Sequence, residues 1–112
     1  MQTESKIQQS AIIFYRNNYC LKHHKPMHCI FSVPNEGKSK KETIQKMAIG
    51  MLPGASDVIL LRKNEIVFIE FKTPTGTQSD KQKRFQSTVE SLGFKYHLIR
   101  SLEQFKTEIC EL

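Results

Sequence analysis

Apolar residues at Ile7, Ala11, Phe14 and Tyr15 recur at helical spacing and predict a first helix running to about Asn18. Thr3 is placed to cap it, and Glu4 falls in the first turn, where the helix dipole favours an anion. A basic, His-rich link from Lys22 to Pro26 leads to His28-Cys29-Ile30-Phe31-Ser32-Val33, which reads as a strand stopped by Pro34. The polar loop Asn35 to Lys41 precedes a weakly helical stretch, Lys41 to Gly50, with Ile44, Met47 and Ala48 on one side. Leu52-Pro53-Gly54-Ala55-Ser56 breaks that helix. Two apolar runs follow, Asp57 to Arg62 and Glu65 to Lys72, around a Lys63-Asn64 turn. Their apolar residues occupy both odd and even positions, the pattern of strands covered on both faces. A helix opening at Ser79 and ending at Gly93, a strand from Phe94 to Ile99, and a final helix from the Ser101 capping box to about Cys110 complete the chain. The order helix, strand, short helix, strand, strand, helix, strand, helix predicts a layered α/β domain with the hairpin inside it.

At 112 residues the chain is the size of one domain, 1–112, which buries roughly two-thirds of its unfolded surface. Charge changes the picture more than size does. The net charge is +6, with seven Lys/Arg against Glu36 and Glu42 between Arg16 and Lys46, and three Glu against one Lys from Ser101 to Leu112. That asymmetry points to an anionic partner, nucleic acid first. The longest apolar runs, Val58–Leu61 and Ile66–Ile69, are far too short to span a membrane, and the N-terminus has no apolar signal core. Three cysteines (Cys20, Cys29, Cys110) form no disulfide framework, so an intracellular, cytoplasmic location is expected.

The hairpin carries the candidate chemistry. With Lys63 and Asn64 in the turn, opposed residue numbers sum to 127, so Arg62 faces Glu65, Leu60 faces Val67 and Asp57 faces Glu70. Opposed side chains share a face with Cβ atoms about 4.5–5.5 Å apart, and Lys72 lies two residues beyond Glu70 on that face. Two carboxylates this close repel, and one ammonium cannot cancel both. A divalent cation such as Mg²⁺ or Mn²⁺ can, because it accepts carboxylate, carbonyl and water oxygens and leaves positions for phosphate. Lys72 would then orient water or stabilise charge developing on phosphate oxygens. The alternative is structural: Asp57 capping a turn after Gly54, with Glu70 and Lys72 an exposed pair at a strand end.

Gly54-Ala55-Ser56-Asp57 followed by Glu70-Phe71-Lys72 resembles the signature of the PD-(D/E)XK nuclease superfamily, with Ser56 where the superfamily has proline. The wider pattern is similar to its VRR-Nuc (virus-type replication-repair nuclease) family. Segments His28 to Gly37, Thr77 to Lys83, Gly93 to Tyr96 and Arg100 to Glu103 carry that likeness in order. The resemblance implies a restriction-endonuclease-like α/β sandwich with a central mixed four-stranded sheet flanked by helices. It implies that Asp57, Glu70 and the Phe71 carbonyl hold the metal, that Lys72 is the catalytic lysine, and that Glu4 completes the site directly or through water. Gln82 would face the site from the helix after Lys72. Glu4 serves equally well to offset the helix dipole, and Ser79-x-x-Gln82 is equally a capping box.

The activity implied is metal-dependent hydrolysis of DNA phosphodiesters. The resemblance to compact, free-standing VRR-Nuc proteins further implies a homodimer acting on branched DNA such as four-way junctions. Lys22, His23, His24, Lys25, Asn35, Lys38, Lys40, Lys41, Lys81, Lys83 and Arg84 are the expected DNA-binding residues. Cys20, His23, His24, His28 and Cys29 do not match common zinc spacings, and Cys29 is expected in the core. Flapped, nicked or linear DNA is the alternative substrate. A non-catalytic basic nucleic-acid-binding module is the alternative function.

Overall fold

Ile7, Ala11 and Tyr15 are buried along one stripe of the first helix, α1 (Glu4–Tyr15), which Thr3 caps by accepting the Lys6 N–H. The computed structural model describes residues 3–20 and 28–110. The helix continues through one wider, π-type turn, Arg16–Cys20. Strand β1 (Cys29–Ser32) follows, then α2 (Lys40–Ala48), β2 (Val58–Arg62), β3 (Glu65–Phe71), α3 (Asp80–Ser91), β4 (Lys95–Ile99) and α4 (Leu102–Phe105), which also ends in a π-type turn, Lys106–Cys110. The basic link Lys22, His23, His24 and Lys25 lies outside the described residues.

The four strands form one mixed sheet in the order β1-β2-β3-β4. β1 and β3 run antiparallel to β2, and β4 returns parallel to β3 after the α3 crossover. The hairpin register is the expected one, Val58 opposite Ile69 and Arg62 opposite Glu65. Asn64 takes the positive φ (56°) that a two-residue turn requires and that asparagine tolerates. Leu60, Val67, Ile69, Phe71 and Ile99 form the buried face of the sheet, packed with Ile7, Ala11 and Tyr15 of α1 and with Phe105 and Ile109 after β4.

The opposite face differs from expectation. Phe85 of α3 packs edge-on against Phe68, but Leu61 and Ile66 on the same face are 38% and 36% exposed. The apolar residues of both parities are real; the helices simply reach across only part of the second face. Cys29 is likewise exposed rather than in the core, because strand neighbours alternate and Ile30 takes the buried side. α2, with no buried residue, lies at the surface.

Candidate active site

Asp57 stands immediately before β2, and extending the register by one step sets it opposite Glu70. Its Oδ2 accepts the Phe71 backbone N–H at 2.7 Å, so the carboxylate occupies the ladder position beyond the end of the strand. Its Oδ1 accepts from Asn35 Nδ2 at 3.2 Å, and the same amide donates to the Ala55 carbonyl at 2.9 Å. Ser56, between them, is buried, which is why a small residue occupies that position. Because a residue's N–H and C=O leave an extended strand on the same side, the Phe71 carbonyl is also turned toward Asp57.

Glu70 is fully buried and Lys72 is 8% exposed. That excludes an exposed ion pair at a strand end. Lys72 Nζ lies 3.8 Å from Glu70 Oε2, an ion-pair distance too long for a hydrogen bond. Glu70 Oε1 accepts the Tyr96 hydroxyl, whereas Oε2 is buried with no hydrogen-bond partner among the described residues. Burial pushes the Glu70 carboxyl above the usual glutamate range; Asp57 and Glu4 add to the rise, and the Tyr96 hydrogen bond and Lys72 oppose it without cancelling it. A buried carboxylate oxygen with no hydrogen bond and only a long ion pair costs stability unless a further cation meets it.

Asp57 and Lys72 open onto a cavity of about 350 Å³, whose walls include Glu4, Asn35, Lys81 and Gln82. Glu4 therefore reaches the cavity from α1, yet no group of three or more acidic, His or Cys side chains converges tightly enough to hold a metal by itself among the described residues. Gln82 both caps the helix and lines the cavity. Its Oε1 accepts the Ser79 N–H at 2.8 Å, closing the capping box of α3, and its side chain lines the cavity. Gly54 brings the loop and α3 together: its φ is +92°, and a Cβ there would stand 2.7 Å from the Lys81 backbone.

Lys38, Lys40, Lys41, Lys83 and Arg84, named above as DNA-binding candidates, are exposed. Asn35, expected at the DNA surface, instead has its amide nitrogen engaged by Asp57 and Ala55. The sequence reading did not find Tyr96, Gln78 or Arg100. Gln78 Nε2 donates to the Tyr96 hydroxyl oxygen at 3.2 Å, and Arg100 Nη1 ties down the loop after Lys72 through the carbonyls of Thr73 (2.8 Å) and Gly76 (2.6 Å). The available signal for Tyr96 was its phenol, since a buried tyrosine hydroxyl finds a partner, and Glu70 shares its sheet face.

The donor set suits a hard divalent ion. It consists of carboxylate oxygens, one of them buried and without a hydrogen bond, beside a backbone carbonyl, with no sulfur or imidazole at the cavity among the described residues.

No protein-family model matches the sequence, and no curated protein matches it. Among solved structures, a protein described as a VRR_NUC domain protein superposes with a TM-score of 0.77 at 16% sequence identity, covering 98% of this chain and 87% of that one. The chain thus has the VRR-Nuc domain fold, the restriction-endonuclease-like sandwich in which a mixed four-stranded sheet is flanked by helices.

Proposed function

We propose that this protein is a metal-dependent DNA endonuclease. The observation that carries the reading is the buried Glu70 carboxylate, its Oε2 unpartnered, set between Asp57 and Lys72 at the end of the hairpin. The shared fold with a VRR_NUC domain protein supports the same reading. Asp57, Glu70 and the Phe71 carbonyl would hold Mg²⁺ or Mn²⁺, with Glu4 contributing from the cavity wall, through water or directly. When bound, such an ion supplies Lewis acidity toward phosphate and makes water a stronger nucleophile.

The protein's own groups do the rest. Lys72 keeps an ammonium beside the reacting phosphate, where it orients the attacking water and stabilises charge on the non-bridging oxygens. Water oxygen bonds to phosphorus as the bond to the 3′ oxygen breaks, leaving a 5′-phosphate and a 3′-hydroxyl. Gln82 uses its carbonyl oxygen for the helix cap, and its amide N–H groups serve as donors to the substrate. Lys81, Lys83 and Arg84, with Lys38, Lys40 and Lys41, hold the DNA backbone without reading bases.

Branched DNA is the proposed substrate and a homodimer the proposed working form. The partly uncovered sheet face, with Phe31, Leu61, Ile66 and Phe94 exposed, supports association of two copies. Labelled four-way junction, flap and linear duplex, each incubated with and without Mg²⁺ and mapped for cuts, test the whole reading. Metal-dependent cleavage strongest on the junction is the expected result. Binding without cleavage of any substrate in any metal would leave a nucleic-acid-binding module.

A further inference from the structure

Tyr96 sits in β4 opposite Phe68 in the parallel register, on the sheet face that also carries Glu70. It is 8% exposed, and its ring is held against Phe85 of α3 at 6.3 Å between centroids. Its hydroxyl donates to Glu70 Oε1. The direction of that bond is set from the far side. Gln78 Nε2 carries two hydrogens and uses them on two oxygens, Gln86 Oε1 at 3.1 Å and Tyr96 Oη at 3.2 Å. With the Gln86 oxygen turned toward it, the Gln78 nitrogen faces both acceptors. Tyr96 Oη, receiving from Gln78, keeps its own proton for Glu70.

The result is a one-way chain, Gln78 to Tyr96 to Glu70, that occupies one carboxylate oxygen and leaves the other facing Lys72. A glutamate side chain has three rotatable bonds, and nothing else among the described hydrogen bonds holds Glu70. We infer that Tyr96 is the positioning residue of this site: anchored by Gln78, it fixes the Glu70 rotamer so that Oε2 alone is presented for a divalent cation. The role rests on the metal-dependent reading above and extends it to residues that touch neither metal nor DNA. Groups bonded to metal-ligating carboxylates commonly control metal affinity by about 10–100-fold.

The test is Mn²⁺ affinity, measured by titration calorimetry on the full chain without DNA. Tyr96→Phe keeps the ring against Phe85 and removes only the hydroxyl. It should weaken Mn²⁺ binding by about 10–100-fold, while Gln78→Leu weakens it by a smaller factor. In cleavage assays the Tyr96→Phe loss should be recovered as Mn²⁺ is raised to saturation, with KM for DNA unchanged. A purely structural role would not give that metal-dependent rescue. Equal Mn²⁺ affinity in wild type and in both variants, with all three folded by circular dichroism, overturns the positioning role and leaves the nuclease reading standing. A wild-type protein that binds no Mn²⁺, and behaves in this like Asp57→Asn, overturns both.

Discussion

The Asp57 carboxylate and the Phe71 amide are joined by a 2.7 Å hydrogen bond that extends the β2–β3 pairing one step past the end of β2. A side chain here does the work of a backbone carbonyl. The consequence is positional: Asp57 is tied to the segment that presents Glu70 and Lys72.

Asp57→Ala therefore removes a proposed metal ligand and leaves the Phe71 N–H and the Asn35 amide short of an acceptor. Junction binding should stay within about threefold of wild type, because the cations that meet the backbone are elsewhere. Metal-dependent cleavage should fall at least about 100-fold, as when a key electrostatic group is deleted. The metal-free protein should lose about 1–3 kcal/mol from the unsatisfied donors. Gel-shift, cleavage and thermal unfolding assays on the same preparation check all three. Retained cleavage removes Asp57 from the site.

Glu70→Gln tests the electrostatic cost of the buried carboxylate. Because the folded-state pKa is raised, wild-type stability is highest below the unfolded value of about 4.3. It declines as pH rises toward the raised folded value, and the penalty persists above it. The amide carries no such charge. In EDTA, Glu70→Gln should match wild type near pH 4 and exceed it in melting temperature by pH 7. With Mg²⁺ or Mn²⁺ the order should reverse, since wild type alone gains from the ion. A variant less stable than wild type in EDTA at pH 7 would contradict the strained-carboxylate account.

Gly54→Ala should be costly although the residue removes no interaction. The backbone is left-handed at +92°, and the new Cβ would meet the Lys81 backbone at 2.7 Å. Either the loop or the start of α3 must shift, carrying Lys81 and Gln82 with it. The expected loss is about 1–3 kcal/mol, with lowered cleavage from displacement of the cavity wall. Thermal unfolding and single-turnover rates separate the two effects.

The parts of this fold that were legible in the sequence are those set by neighbours in the chain. A two-residue turn at Lys63-Asn64 determines the pairing arithmetic, so the Asp57–Glu70 opposition could be worked out residue by residue. The capping box at Ser79 was legible for the same reason, as was the Ser101 cap, although Gln104 there accepts from the Arg100 N–H rather than from Ser101 and so does not close the expected box. What escaped depends on segments meeting across the fold. Tyr96 reaches Glu70 over a separation of 26 residues, and Asn35 reaches Asp57 over 22. Tyr96 falls in step with Phe94 and Leu98 on one face around β4 and so reads as ordinary core; only the parallel register reveals that this face is Glu70's. The uncovered second face escaped because apolar character shows that a surface avoids water and not which helix is long enough to cover it.

Arg62→Ala tests the opposite end of the hairpin. The Arg62 guanidinium is bonded to Glu65 Oε1 at 2.9 Å and to the Ile109 carbonyl at 2.7 Å, tying the turn to the last turn of the C-terminal helix. Its side chain is 8% exposed, so the interaction is shielded from salt. Removal should cost about 2–3 kcal/mol, read as a melting-temperature loss of about 4–8 °C per kcal/mol. Arg62→Lys should recover only part of it, because an ammonium cannot reproduce the fork. The site lies at the other end of the strands, so cleavage at a temperature where the variant is folded should be unchanged.

Lys81, Lys83 and Arg84 all lie in the first turn or so of α3, but they do not stand in the same relation to the site. Lys81 lines the cavity with Asp57 and Lys72, whereas Lys83 is exposed outside it. Both should contribute to affinity through displaced counterions, each lowering the salt slope of DNA binding by about 1 when neutralised. Lys83→Gln should therefore weaken binding alike for junction, flap and linear duplex, and leave the rate of cleavage at saturating DNA untouched. Lys81→Gln should weaken binding by a similar factor and also slow cleavage at saturation, because its charge acts on the phosphate next to the reacting bond. Binding measured across a salt series, followed by single-turnover cleavage at saturating enzyme, resolves the two. Identical kinetic behaviour in both variants would place Lys81 with the DNA-holding cations and remove it from the chemistry.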